Sequence, residues 1–84
     1  MKTRRSKEWS NGESLYLIND ENLVIASIDI FHDHTDYWIA KDPMTWTRRI
    51  ESTLWEQLDF RQEWLTQLIV DKRATKKELL ALVI

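Results

Sequence analysis

The chain has 84 residues, 43% of them apolar and 31% charged, with one Gly, one Pro and no Cys. That is the composition of a folding chain, and it excludes disulfides, thiolate zinc sites and the glycine-rich phosphate loops of nucleotide-binding folds. The net charge of −2 is laid out unevenly: Lys2, Arg4, Arg5 and Lys7 stand against Glu8 in residues 1–10, residues 11–42 are strongly acidic with Lys41 their one base, and the last stretch turns basic again.

A single domain over residues 1–84 is expected. A chain this short buries only about 60–65% of its unfolded surface, so pairing with a second copy would help it. The basic start has no apolar segment behind it of the kind a signal peptide needs, and no apolar run is long enough to cross a bilayer, so a cytoplasmic protein is expected.

In chain order, Asn11-Gly12 is the sharpest turn signal, since both residues tolerate the positive φ of a type I′ hairpin turn. Two readings are open for what precedes it. Either Ser6–Ser10 pairs with Glu13–Ile18, or residues 1–10 form a flexible basic arm. Leu15–Ile18 reads as a strand, ended by the turn formers Asn19-Asp20-Glu21-Asn22. Leu23–Phe31 is a longer strand rich in β-branched residues, His32–Asp36 breaks it, and Tyr37–Ala40 begins a third. Connections this short favour an antiparallel meander.

Residues 41–52 carry two signals. Asp42-Pro43 suits a helix start, with Trp46, Ile50, Leu54 and Leu58 at four-residue steps. Thr45-Trp46-Thr47 suits a strand over residues 44–50, the reading slightly preferred. Thr53–Lys72 is expected to be the long helix: Leu54, Leu58, Leu65, Leu68 and Ile69 fall within an arc of about 100°, and Thr53 with Glu56 has the form of a capping box. Thr75 and Glu78 repeat that box before Leu79–Ile84, a short apolar helix suited to packing on the long one or on a second copy. The expected fold is therefore α+β: an antiparallel sheet of three or four strands, a long helix across one face and a short C-terminal helix beside it.

The one constellation with the look of chemistry is His32-Asp33-His34-Thr35-Asp36. In extended backbone His32, His34 and Asp36 project to one side, as metal ligands would. The spacing resembles the His-x-His-x-Asp-His motif of the metallo-β-lactamase superfamily. The match covers five residues; Tyr37 stands where that motif has its last His, and the chain is far too short for that fold. No nucleophile–base pair can be assembled either, so neither an enzyme nor a cofactor is expected.

Five Trp in this length exceed what a small core accommodates with every indole N–H satisfied. Trp38, Trp46, Trp55 and Trp64 are the candidates for contact with a protein partner, Trp55 and Trp64 standing at the edges of the helical stripe. The alternative is nucleic-acid binding through Arg4, Arg5, Lys7, Lys72, Arg73, Lys76 and Lys77. The expected function is a small non-enzymatic binding protein, a subunit or an inhibitor. Its size and composition are those of regulators that phages and mobile elements encode.

Overall fold

The computed structural model describes residues 1–82. Five strands form one antiparallel sheet in sequence order: β1 (Lys2–Trp9), β2 (Gly12–Ile18), β3 (Val24–Phe31), β4 (Thr35–Met44) and β5 (Trp55–Leu58). Two short 3-10 turns, Trp46–Arg48 and Ser52–Leu54, join β4 to β5, and the helices α1 (Arg61–Val70) and α2 (Lys76–Leu80) follow. The α+β class and the meander stand as expected, with five strands rather than three or four.

The basic segment is an edge strand, not a loose arm: Lys2–Ser6 pair with Ile18–Ser14. Its hairpin turns through Ser10-Asn11, with Trp9 opposite Gly12, and neither Asn11 nor Gly12 takes a positive φ, so the turn is not the expected type I′. The turn at Asn19–Asn22 is held by the Asn19 side-chain oxygen, which accepts from the amides of Glu21 and Leu23, while Asn22 takes φ 64°. That left-handed conformation is one Asn tolerates well.

The main departure concerns residues 44–58. Neither the strand over 44–50 nor the helix from Pro43 forms. The predicted Thr53–Lys72 helix begins only at Arg61, and its first part is β5, in which Trp55–Leu58 pair with Ala40–Tyr37. Pairing satisfies β4 backbone groups that would otherwise form an open edge, a gain that the local Thr53–Glu56 capping box does not match. Leu54 and Leu58 are four apart and fit a helical stripe, but they pack on opposite sides of the sheet.

Period-2 alternation sorts the strand residues onto two faces. Leu15, Leu17, Ala26, Ile28 and Ile39 point to the helices, where they meet Trp64, Leu68, Ala74 and Leu79. Trp64 is 0% exposed and donates its indole N–H to the Trp38 carbonyl at 2.8 Å. Burial of an indole of about 150–250 Å² contributes roughly 4–6 kcal/mol before entropy. Helix α1 ends in a left-handed cap: the Arg73 amide donates to the Leu68 carbonyl and the Lys72 amide to that of Ile69, with Lys72 at φ 56°. The capping box predicted at Thr75 and Glu78 forms at the start of α2.

On the other face Tyr16, Ile18, Val24, Ala40 and Met44 are covered by Trp46 and Leu54 from the β4–β5 connection and by Trp55 at the start of β5. This lid covers only one end of the face. No helix of the described residues is long and apolar enough to cross a membrane. Leu79 is buried and Leu80 exposed, while Val83 and Ile84, part of the segment expected to join two copies, lie outside the described residues.

Candidate functional site

At the uncovered end of the helix-free face lies a pocket of about 190 Å³ lined by Glu8, Trp9, Tyr16, Ser27, Asp29, Trp38, Arg49, Ile50, Ser52 and Trp55. Alternation places it. Ser14 and Tyr16 in β2, Ser27 and Asp29 in β3, and Asp36 and Trp38 in β4 are neighbours in register and share this face. The β4–β5 connection supplies one rim, fastened by the Trp55 indole N–H, which donates to the Arg49 carbonyl at 2.7 Å. Trp9, near the end of edge strand β1, supplies another and is 44% exposed.

The polar groups form two sets. In the first, the Arg49 guanidinium meets Glu8 at 2.6 Å, and the Tyr16 hydroxyl donates to the same carboxylate at 2.9 Å. Burial would push the Glu8 carboxyl up, but Tyr16 and Arg49 outweigh it and hold it below the usual range. Burial pushes the Tyr16 hydroxyl up to about 12, helped by the adjacent Glu8 charge, so it stays a donor. Arg49 is further held by the Trp46 carbonyl. Arg4 and Arg49 both place a guanidinium carbon 3.8 Å from the centre of the Trp46 ring, which two such groups can do only from opposite faces.

The second set centres on Asp29. The Trp9 indole N–H donates to the Ser14 hydroxyl at 3.1 Å, and the Ser14 and Ser27 hydroxyls donate to Asp29 Oδ1 at 2.7 and 3.1 Å. Among the described residues, Asp29 Oδ2 has no donor and no cation pairs with the carboxylate. Asp36 stands directly opposite it in register, a like-charge pair that is unfavourable by itself. Burial pushes the Asp29 carboxyl up, against the two hydroxyls, and Asp36 and Glu8 add to the rise. In the pocket wall the Trp38 indole N–H is buried without a hydrogen-bond partner among the described residues.

The sequence candidates divide. Trp38 and Trp55 line this pocket, and Trp46 lies behind its rim. Trp64 is in the core on the far side of the sheet and has no surface to offer a partner, which corrects its expected role. The signal missed lies in the alternation itself: Ser14, Ser27 and Asp29 are polar positions interleaved with Leu15 and Ile28, but their assembly into one floor depends on register.

The basic residues are not gathered on one surface. Arg4 lies on the helix-free face, whereas Arg5 pairs with Glu13 at 2.7 Å. Arg73 donates to the Ala40 and Lys41 carbonyls, where β4 bulges away from β3. Lys7, Lys72, Lys76 and Lys77 are exposed. The His-rich turn does not bring the weak metal candidates His32, His34 and Asp36 together as a ligand set. His34 Nδ1 lies 2.6 Å from Asp33 and Nε2 3.5 Å from Asp36, and hydrogen bonding to Asp33 leads the rise in its pKa. No group of three or more His, Cys, Asp and Glu side chains among the described residues is placed to hold a metal ion.

A second depression of about 430 Å³ at the end of α1 is more open and has no aromatic lining. Comparison with protein-family models, with curated proteins and with solved structures finds no match to this chain.

Proposed function

We propose that this chain is a non-enzymatic binding protein that engages a protein partner through the helix-free face of its sheet, with the aromatic pocket as the anchor point. The observation that carries this reading is the setting of Asp29: a half-buried carboxylate surrounded by Trp9, Tyr16, Trp38 and Trp55 on a face that no helix covers. Concave, desolvated pockets walled by Trp and Tyr are where binding energy concentrates in protein interfaces. The volume, about 190 Å³, is below the roughly 300 Å³ at which pockets begin to hold whole cofactors or drug-sized molecules, and it suits a single side chain.

The basic residues lend less support to nucleic acid, because Arg5 and Arg73 are engaged elsewhere in the fold and the pocket floor is acidic. The test is quantitative capture of the native partner by wild type and by Trp9→Ala. The variant is expected to weaken the complex by about 2 kcal/mol or more while keeping a cooperative melt. Unchanged affinity in both Trp9→Ala and Trp55→Ala would remove the basis for the reading.

A further inference from the structure

The two polar sets of the pocket differ in one respect: one is charge-balanced and the other is not. Glu8 is neutralised by Arg49 at 2.6 Å, and the remaining Arg49 donor capacity is partly spent on the Trp46 carbonyl. Among the described residues no cation pairs with Asp29. Two hydroxyls converge on Oδ1 and leave Oδ2 open, with Asp36 directly across the strand pair. Around this surplus negative charge stand three indoles and a phenol, whose ring faces attract cations and whose bulk excludes water. An unpaired half-buried carboxylate burdens the fold, and an unsatisfied acceptor of this kind in a pocket indicates a ligand whose donors complete it.

Building on the binding-face reading above, we propose that the pocket takes an organic cation bearing N–H donors at the end of an aliphatic stem, namely the ammonium of a lysine or the guanidinium of an arginine on the partner chain. The head group donates to Asp29 Oδ2 and offsets the Asp29–Asp36 repulsion. The stem packs between Trp9 and Trp55 at the mouth. A neutral alkyl group would fill the same volume and leave Asp29 uncompensated, while an anion would meet Asp29, Asp36 and Glu8.

The experiment uses the full chain labelled with ¹⁵N and follows the five indole N–H resonances, assigned by substitution. The probes are n-butylammonium, n-butylguanidinium, 1-butanol and butyrate. Saturable shifts are expected at Trp9, Trp38 and Trp55 and not at Trp64, with one or both cations binding at least about tenfold more tightly than 1-butanol. Asp29→Asn is expected to abolish that preference without lowering the melting temperature.

Equal binding of 1-butanol and the cations, or full cation preference in Asp29→Asn, overturns the cation assignment. If the three resonances still saturate, the face remains a binding surface. If no probe moves them while Trp9→Ala still weakens partner capture, the pocket assignment falls and the wider face stands. The last arm compares Nα-acetyl-lysine methylamide and Nα-acetyl-arginine methylamide with the corresponding free cations. Tighter binding of either derivative supports a side chain on a partner, and tighter binding of both free cations overturns that source in favour of a small-molecule amine or guanidine.

Discussion

Gly12 follows Asn11 but does not serve the turn by taking a positive φ. A Cβ at residue 12 would lie 2.5 Å from the Ile30 carbonyl oxygen and 2.8 Å from the Phe31 ring, so the absence of a side chain is what lets β2 close on β3. Gly12→Ala is expected to cost about 1–3 kcal/mol, measured by urea denaturation. Asp29 carries a different tension. Its folded-state pKa lies above the ordinary aspartate value, chiefly through burial, with Asp36 and Glu8 adding to the rise and the Ser14 and Ser27 hydroxyls opposing it. Arg49 and Tyr16 also line this face, but both are engaged with Glu8. An acid with a raised folded pKa binds more protons folded than unfolded, so stability falls as pH rises through the window between the two values and the loss is complete above the folded one. Asp29→Asn removes that titration. The variant is expected to melt higher than wild type at neutral pH, with the gap closing as pH falls towards the ordinary value of 3.8. Melting curves across that range test it, and a gap independent of pH would contradict it.

Among the elements, the contrast between α2 and β5 shows what local sequence settles. The Thr75–Glu78 capping box forms because its donors and acceptors are three residues apart, and the second oxygen of Glu78 meets the Met1 ammonium at 3.3 Å without displacing it. The same pattern at Thr53 and Glu56 is overridden, because Glu56 pairs with Ile39 and the edge of β4 needs a partner. Trp55–Leu58 shows little apolar alternation, as suits a short edge strand with exposed Glu56 and Gln57, so its own residues give no strong β signal. At the end of α1 the cap places Lys72 in the left-handed region that Gly occupies at least cost. Lys72→Gly is therefore expected to stabilise the chain by about 0.5–1 kcal/mol, read as a higher urea midpoint at an unchanged slope.

Across the whole molecule, the sheet separates a face sealed by helices from one only partly covered, and the Trp residues divide accordingly. Trp64→Ala removes a fully buried indole and its bond to Trp38, and is expected to cost about 3–5 kcal/mol, which calorimetry would show as a lost or much lowered melt. At the pocket mouth Trp9→Ala is expected to spare the fold. The three central strands of the meander, the turn at Asn19–Asn22, a break after Phe31, the α+β class and the α2 cap were legible in the residues, because alternation, turn chemistry and capping act over a few positions; the residues put that break at His32–Asp36, whereas β4 already begins at Thr35. Tertiary structure alone decided that the supposed first turns of the long helix become a fifth strand, since that depends on β4 needing a partner. It also decided which Trp lies inside, and that Ser14, Ser27 and Asp29, spread along two strands, meet on one floor, because register is set by packing and pairing across the sheet.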